Sequence, residues 1–364
     1  MPMQCRKISL THFRNYTNRS FHFNEKLVGI CGNNGSGKTN LLDAIYYSCF
    51  TKSYFSNSDA QSVKHGCGGM RIESLFEKNN EAFTVVPILR ENNRKEILVN
   101  GEQYTRFSRH IGKFPCVMIA PDDVSLINGT SAERRKMVDT VLSQLNAAYL
   151  QALIDYNKIL QQRNSLLKIS AERNRLDEEL LSVLDSQLAE KGNFIFEARK
   201  KFLASFMPDA IADYIQIAGA GENINMLYES QLHGKDFLLL LQENRSRDVY
   251  MQRTGCGIHK DDVAVYMAGI PFKNIASQGQ KKTMLFAMKL AEFSTLKAAA
   301  GFAPLLLLDD VFEKLDAARM QQLLLEVCSR PDTQIFITDT HRQRLEEALI
   351  QTGQPCQLIE LEKE

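Results

Sequence analysis

The chain has 364 residues, a length that accommodates about two domains of ordinary size. Its 44 basic and 43 acidic side chains give a net charge of +1, so binding to nucleic acid would require a local basic patch and not a globally basic chain. Hydrophobic residues make up 44% and charged residues 24% of the composition, as in ordinary globular proteins. No apolar run approaches the roughly 18 residues that a membrane-spanning helix needs, which excludes an integral membrane protein.

The N-terminal residues and the cysteines bear on the cellular compartment. The first residues lack the apolar segment and the small-residue cleavage site of a secretory signal, so we expect a cytoplasmic protein. The eight cysteines lie far apart, without a C-x-x-C pair. This spacing favours reduced thiols over a disulfide framework or a zinc site.

The first 50 residues predict a β hairpin, a buried strand and a helix. Apolar residues alternate on both sides of a polar turn at 15–18, which is typical of a hairpin. Residues 27–31 have the continuous apolar character of a buried strand, and 40–47 have the pattern of a helix. Residues 50–120 mix short strands and turns, with a hairpin signal at Asn100 and Gly101.

A helical pattern then replaces the strands. Apolar residues recur every three or four positions over 131–168 and again over 176–206, with a polar link at 170–174. At about 1.5 Å per residue the first helix would be roughly 55 Å long. The two helices would form a short antiparallel arm, whose balanced charges are typical of solvent-exposed faces.

After residue 245 the β-rich pattern returns. It predicts a strand at 262–267, a helix at 280–300, a buried strand at 305–308, a helix near 317–329 and a last strand at 334–338. The fold class is therefore α/β, with mixed sheets and helices. Residues 1–120 and 245–364 would form one split domain, interrupted by an α-helical lobe over 121–244.

A phosphate-binding loop stands between the buried strand and the first helix. Residues 32–39 satisfy G-x-x-x-x-G-K-[ST], in which glycines let backbone N–H groups converge on phosphate oxygens. Lys38 would neutralise the β- and γ-phosphates, and the Thr39 hydroxyl would bind Mg²⁺. The candidate nucleotide-binding residues are Gly32, Asn33, Asn34, Gly35, Ser36, Gly37, Lys38, Thr39 and Asn40. A chance glycine-rich turn is the alternative, but the flanking strand and helix argue against it.

Two aspartates follow the buried strand 305–308. Asp309 would complete the Mg²⁺ site, and Asp310 would polarise the attacking water, so that Lys38, Asp309 and Asp310 are the candidate catalytic residues. A plain core strand is compatible with this prediction, because only the two terminal aspartates carry chemistry.

A second anion-binding device lies near residue 280. The segment Ser277, Gln278, Gly279 and Gln280 places a hydroxyl, a glycine amide and a helix N-terminus together. Alone it would be an ordinary helix cap. Its order between the P-loop and the Asp-Asp strand favours a role at a phosphate.

These motifs together resemble the ABC-type ATPases of the SMC kind. The resemblance rests on a Walker A motif at 32–39, a signature at 277–280, a Walker B strand ending in Asp309 and a D-loop that contains Asp316. The amino-acid sequence is similar to that of the RecF family in particular over nearly the whole chain. The similarity is most specific at residues 33–35, 120–123, 133–136, 162–164 and 309–316.

The resemblance implies an ABC-type P-loop ATPase head in which two heads sandwich two ATP molecules. Each P-loop would face the signature of the other copy. Members of this family are implied to bind ATP and Mg²⁺, to clamp duplex DNA near single-strand gaps as homodimers, to release it after slow, DNA-dependent hydrolysis, and to help load a recombinase. The implied partners are double-stranded and gapped DNA and a RecR-like mediator protein, with no membrane.

Some positions depart from the family pattern. Ile258 and Lys260 stand where a Gly-Pro-His-Arg-Asp-Asp segment would have proline and arginine, and Phe55 stands where a Lys-Ser-x-Arg pattern would have arginine. The sequence leaves open the role of His259, the identity of the Q-loop and the choice of switch residue among Thr338, Asp339 and His341. The basic residues available for DNA are Lys52, Lys64, Arg109, Arg134, Arg135, Lys136 and Arg163, and the sequence singles out none of them.

Three other functions are compatible with a P-loop. A transporter nucleotide-binding subunit would not need a hairpin that leads into a long helical insertion. A structural SMC-like protein would devote hundreds of residues to coiled coil, and a small-molecule kinase would have no use for residues 277–280.

Overall fold

The computed structural model describes residues 3–173, 175–219, 222–311, 327 and 332–362. The chain forms two compact units, one of residues 1–123, 213–220 and 278–364 and the other of residues 124–212 and 221–277. Within the described residues, no helix is both long enough and apolar enough to cross a bilayer.

The strands are short and numerous. In chain order they are β1 (Gln4–Phe13), β2 (Tyr16–His22), β3 (Leu27–Gly32), β4 (Met70–Lys78), β5 (Glu81–Leu89), β6 (Lys95–Val99), β7 (Glu102–Gln103), β8 (Cys116–Ile119), β9 (Ile224–Glu229), β10 (Asp262–Met267), β11 (Ile270–Pro271), β12 (Leu305–Leu308), β13 (Ile335–Asp339) and β14 (Cys356–Leu361).

The helices vary more in length. They are α1 (Lys38–Phe50), α2 (Ser125–Asn128), α3 (Ser131–Leu145), α4 (Ala147–Arg173), α5 (Glu178–Ala218), α6 (Phe237–Glu243), α7 (Arg245–Met251), α8 (Phe272–Ile275), α9 (Gln278–Ala300) and α10 (Arg342–Ile350). The predicted helix near 317–329 lies outside the described residues, apart from Val327.

Two sheets build the first unit. One is antiparallel, with the order β2-β1-β4-β5-β6-β7, and the other is parallel, with the order β14-β3-β13-β12-β8. The runs that form β3 and β12 are buried along almost their entire length, as parallel strands covered on both faces require. Because parallel strands end at the same edge, the residues that follow β3, β12 and β13 meet there.

Helix α1 packs against strands of both sheets. Every residue from Leu41 to Phe50 is buried, so the helix has no solvent face and no amphipathic pattern. Its N-terminus, at Lys38, follows directly on the glycine-rich loop after β3. The loop is therefore held between a buried strand and a buried helix.

The second unit differs from the predicted lobe in two ways. It continues to Ser277, where the prediction ended the lobe at residue 244, because β10 pairs with β9 in the three-stranded sheet β11-β10-β9. The predicted helix 131–168 is two helices, α3 and α4. They separate at Asn146, whose side-chain oxygen accepts hydrogen bonds from the backbone N–H groups of Ala148 and Tyr149.

A buried ionic network joins α4, α5 and α7 of this unit. The Arg163 side chain is fully buried, and its guanidinium donates to Asp185 at 2.6 Å and to Asp248 at 2.7 Å. It also donates to the Thr254 hydroxyl at 2.9 Å. Buried ions are costly to desolvate, so the pairing holds only while every partner is present.

We expect Arg163→Met to lower the free energy of unfolding by about 3–5 kcal/mol, because the buried Asp248 carboxylate loses its counter-ion and the buried Asp185 carboxylate keeps only its pair with Arg245. Urea unfolding followed by far-ultraviolet circular dichroism measures the change. Arg173→Met, at the exposed end of the same helix, is the matched control and should leave the midpoint unchanged. Equal midpoints for the two variants would contradict the network's contribution.

Candidate nucleotide site

The glycine-rich loop has the backbone that phosphate binding requires. Gly35 and Gly37 have φ values of 82° and 103°, in the left-handed region that favours glycine. A Cβ at Gly37 would also lie 2.6 Å from Asn15 Nδ2 and 2.7 Å from the Tyr16 hydroxyl. The loop therefore reaches α1 without side chains at its tightest points, and the N–H groups of the first helical turn remain available to an anion.

The Lys38 side chain curls back over this loop. Its Nζ donates to the carbonyl oxygens of Gly32 at 2.7 Å and Asn33 at 3.2 Å. The Ser36 hydroxyl is buried and has no hydrogen-bond partner among the described residues. A positive charge and an unused hydroxyl thus lie in one loop, and both suit phosphate oxygens.

Asp309 reaches the same place from β12. Its carboxylate oxygens both lie 3.0 Å from the Thr39 hydroxyl, and the residue is only 3% exposed. The Thr338 hydroxyl, at β13, donates to Asp309 Oδ1 at 2.8 Å and accepts from the backbone N–H of Asp310 at 2.8 Å. Burial raises the pKa of Asp309 to about 6, while the hydrogen bonds from Thr338 and Thr39 lower it and the charge of Asp310 raises it further.

The oxygens of Thr39 and Asp309 fit a magnesium ion. Mg²⁺ prefers hard oxygen ligands and is usually held by one or two side chains, with waters and substrate phosphates completing its shell. In the described part of the chain, no cluster of three or more His, Cys, Asp or Glu residues forms a self-sufficient metal site. A metal ion bound here would therefore need a bound phosphate to supply some of its ligands.

The three candidate switch residues have different surroundings. Thr338 is the one that contacts Asp309. Asp339 is buried, pairs with Arg344 at 2.6 Å and accepts the backbone N–H of His341. His341 is exposed at the start of α10. Asp310 follows Asp309 with a left-handed φ of 49°.

The remaining predicted nucleotide residues lie in several places. Asn33, Asn34 and Gly35 are exposed at the tip of the loop. Ser277 precedes α9, and Gln278 begins it, two residues before the predicted start. The predicted contact of residues 277–280 with a P-loop involves a second copy of the chain and stays a prediction. Asp316 lies outside the described residues.

Several basic candidates for DNA contact have internal partners. Arg163 is fully buried, and Arg134 forms a two-pronged pair with Asp262. Arg135 donates to the Asp261 carbonyl. Lys52, Arg109 and Lys136 are exposed. Burial at Arg163 therefore excludes one candidate, which the sequence alone could not do.

His259 has a structural environment. Its Nδ1 accepts from the Tyr156 hydroxyl at 2.8 Å, and its Nε2 donates to the Thr254 carbonyl at 3.2 Å. Burial lowers the pKa of His259 to about 4, so the ring is neutral at physiological pH. Both nitrogens are used in holding the segment around it.

Two residues that the sequence did not single out also contact the P-loop. Asn15, between β1 and β2, and Tyr16, the first residue of β2, hydrogen-bond to the carbonyls of Ser36 and Gly37. The sequence showed only a polar turn at this point. A tyrosine in a turn beside a phosphate loop carries no pattern that spacing alone can detect.

A buried strand, a phosphate loop, a buried helix and an aspartate at the end of a neighbouring strand define a P-loop ATPase head. Residues 4–354 match the model of the RecF/RecN/SMC N terminal domain family. The chain belongs to this family.

Full-length relatives narrow the comparison. The chain is 42% identical over 359 residues to the DNA replication and repair protein RecF of Flavobacterium johnsoniae, with 99% of this chain and 100% of the relative covered. It is 38% identical over 361 residues to that of Bacteroides fragilis, with 99% and 97% covered. The predicted ABC-type ATPase of the RecF kind, a DNA replication and repair protein, is confirmed.

Solved structures agree with this assignment. The structure described as the recombination mediator protein RecF-ATPrS in the RecFOR pathway is 28% identical, with a TM-score of 0.88 over 100% of this chain and 98% of that chain. An SMC head domain from Pyrococcus furiosus is 15% identical, with a TM-score of 0.55 over 95% and 92% of the two chains, a likeness of fold alone. The predicted fold class is confirmed.

We expect Asp309→Asn to stabilise the nucleotide-free protein at pH 7.5. Because the pKa of Asp309 is raised from its ordinary value of 3.8 to about 6, the folded protein loses stability as the pH rises through that window, and the full loss is about 3 kcal/mol. The asparagine amide carries no charge to desolvate, and the threonine hydroxyls can rotate to accept from it.

Thermal unfolding at pH 7.5 and pH 4.5 tests this expectation. The increase in the thermal midpoint caused by Asp309→Asn should be large at pH 7.5 and small at pH 4.5, where Asp309 is mostly protonated. Asp209→Asn, at an exposed position on α5, is the control and should change neither curve. An Asp309→Asn variant that is less stable than the unaltered protein at pH 7.5 would contradict a cost of burying the charged Asp309 carboxylate.

Proposed function

We propose that the chain is an ATP-dependent DNA-binding protein of recombinational repair and replication restart. The observation that carries the proposal is the approach of the Thr39 hydroxyl to within 3.0 Å of both Asp309 carboxylate oxygens. This contact unites the P-loop and the Walker B strand in one site. The RecF relatives, described as DNA replication and repair proteins, support the proposed biological role.

The residues of the site have separate tasks in this proposal. The amides of the P-loop and the Lys38 ammonium bind the β- and γ-phosphates of ATP. Thr39 and Asp309 would hold Mg²⁺, which neutralises phosphate charge when bound. Asp310 accepts a hydrogen bond from the attacking water and orients it. The side chain of Asp310 is shorter than that of a glutamate, the residue that many such ATPases have at this position, and this suits slow turnover.

A second copy of the chain completes the site. The hydroxyl of Ser277 and the N-terminal amides of α9, with Gln278, Gly279 and Gln280, reach the γ-phosphate held by the other P-loop. A helix of 23 residues directs the positive end of its dipole toward that phosphate. Asp316 contributes from the D-loop. ATP then joins two copies, and hydrolysis separates them.

The closed homodimer holds duplex DNA near single-strand gaps, chiefly through phosphates and so without sequence preference. Hydrolysis is weak and DNA-dependent, and it releases the DNA so that a recombinase can be loaded. A RecR-like mediator is the expected protein partner. Solved RecF structures are described as a recombination mediator in the RecFOR pathway, which supports this context. The proposed compartment is the cytoplasm.

Lys38→Met and Ser277→Arg should each abolish dimerisation by ATP. The first removes the phosphate charge partner, and the second fills the space that the γ-phosphate of the other copy would need. Sedimentation velocity with and without a slowly hydrolysed ATP analogue gives the oligomeric state. Lys201→Met and Ser186→Arg, both exposed on α5, are matched controls that should dimerise normally. Undiminished dimerisation of both site variants would refute the shared-nucleotide dimer.

Asp310→Asn should separate DNA binding from release. In this variant the attacking water is poorly oriented, so the rate of ATP hydrolysis should fall by at least about tenfold while ATP still closes the dimer. Gel-shift measurements with duplex, single-stranded and gapped DNA should show nucleotide-dependent retention that outlasts that of the unaltered protein. DNA binding that is independent of nucleotide in both proteins would rule out an ATP-driven clamp.

A further inference from the structure

The turn between β1 and β2 holds two carbonyl groups of the P-loop. The buried Tyr16 hydroxyl donates to the Gly37 carbonyl at 2.9 Å, and Asn15 Nδ2 donates to the Ser36 carbonyl at 3.4 Å. Asn15 Oδ1 in turn accepts from the side-chain amide of Asn40 at 2.7 Å. One turn therefore contacts the loop at two successive peptide groups and contacts the first turn of α1 as well.

Fixing these carbonyls also fixes the amides that bind phosphate. A trans peptide is planar, so its N–H points opposite to its C=O. With the Ser36 carbonyl directed at Asn15, the Gly37 N–H faces the other way. The Gly37 carbonyl is directed at Tyr16, so the Lys38 N–H likewise points away from Tyr16. The Gly37 carbonyl also accepts the Leu41 backbone N–H at 2.9 Å, so the turn fixes the Gly37 N–H and acts together with α1 in fixing the Lys38 N–H.

The end of β1 and the turn that follows it have a strained backbone. His12 and Arg14 have left-handed φ values of 51° and 53°, which are unfavourable for residues with a side chain. Hydrogen bonds to residues elsewhere in the chain maintain this backbone conformation. The His12 carbonyl accepts from the Lys64 N–H at 2.7 Å, and the Arg14 N–H donates to the Ser62 carbonyl at 2.8 Å. Strain persists only where surrounding structure enforces it.

Arg14 ties the same turn to the second turn of α1. Its guanidinium donates to Asp43 at 3.2 Å and to the Ser53 hydroxyl at 3.0 Å. Asp43 is buried and also accepts the backbone N–H of Tyr54 at 2.8 Å. The strained turn is consequently anchored on α1 at Asp43 and on the loop at Ser36 and Gly37, so the loop is held in place relative to its helix.

We propose that Asn15 and Tyr16 are positioning residues of the nucleotide site, which hold the P-loop amides in the phosphate-binding arrangement before nucleotide arrives. They touch no phosphate themselves. Their contribution is preorganisation: a loop that samples other conformations binds in proportion to the fraction that is competent. This inference rests on the proposed function, since it assumes ATP at the P-loop.

Tyr16→Phe tests the proposal with the smallest change. It keeps the ring and removes one hydrogen bond, so the affinities for ATP and ADP should both fall about five- to tenfold. Hydrolysis should show a raised KM with kcat at saturation within about twofold of the unaltered protein, because the loss is uniform binding. Asn15→Ala should act in the same direction, and the double variant should lose less than the product of the two single losses.

Tyr47→Phe is the matched control. Tyr47 lies on α1, and its hydroxyl donates to Asp59 at 2.7 Å, away from the P-loop. It should leave nucleotide affinity unchanged while lowering the thermal midpoint as much as Tyr16→Phe does. Calorimetric titration with ATP and ADP and nucleotide-free thermal unfolding give both quantities.

The outcomes separate the two hypotheses. No ATP binding by the unaltered protein would overturn the proposed function, and the inference with it. ATP binding by the unaltered protein with equal affinity in Tyr16→Phe and Asn15→Ala would overturn the inference alone, and the two residues would be structural. Weaker affinity in both variants, at a thermal midpoint no lower than that of Tyr47→Phe, supports positioning.

Discussion

The approach of Asp309 to Thr39 organises the whole site. The two residues are 270 positions apart, and only the parallel order of β3, β13 and β12 brings the ends of their strands together. Asp309 is buried at this place, and burial raises its pKa to about 6, although the hydrogen bond from Thr39 itself lowers the pKa. A cation bound beside that carboxylate would relieve the cost. The nucleotide-free site is therefore under an electrostatic strain that its proposed ligand removes, and ligand binding and stability are linked through one side chain.

Rigid support for this contact comes from α1. A helix buried on all sides between two sheets cannot shift without disturbing both, so Lys38 and Thr39 are fixed relative to β12. The antiparallel sheet has a second task, because its first turn carries the groups that hold the loop carbonyls. The two sheets thus act on the same loop from different strands: the parallel sheet places Asp309 beside it, and the antiparallel sheet fixes its backbone.

Local patterns predicted the strand, loop and helix around Lys38 and the strand before Asp309, because each depends on periodicity or on a glycine where the backbone needs one. What the sequence could not supply depends on distant contacts. The break at Asn146 falls within a continuous apolar period and becomes visible only when its side chain caps α4. Arg163 looks like any charged residue on a helix until two aspartates from α5 and the start of α7 surround it. The contacts of Asn15 and Tyr16 with the P-loop likewise join residues 21 positions apart.

The segment around His259 shows how the same reasoning separates structural from functional residues. Its 3₁₀ turn begins at Ile258, the first helical position, where the backbone N–H needs no partner and where proline is equally suited. Ile258, which stands where the family pattern has proline, therefore needs no backbone hydrogen bond that proline would lack, and its side chain is buried. His259 and Asp261 are bound by Tyr156, Arg199 and Tyr228, which fixes the segment from three elements. Lys260 is exposed, so replacing arginine there keeps the charge at the surface. The hydrogen bonds of its buried members therefore account for the shape of the segment, and Lys260 is its exposed residue.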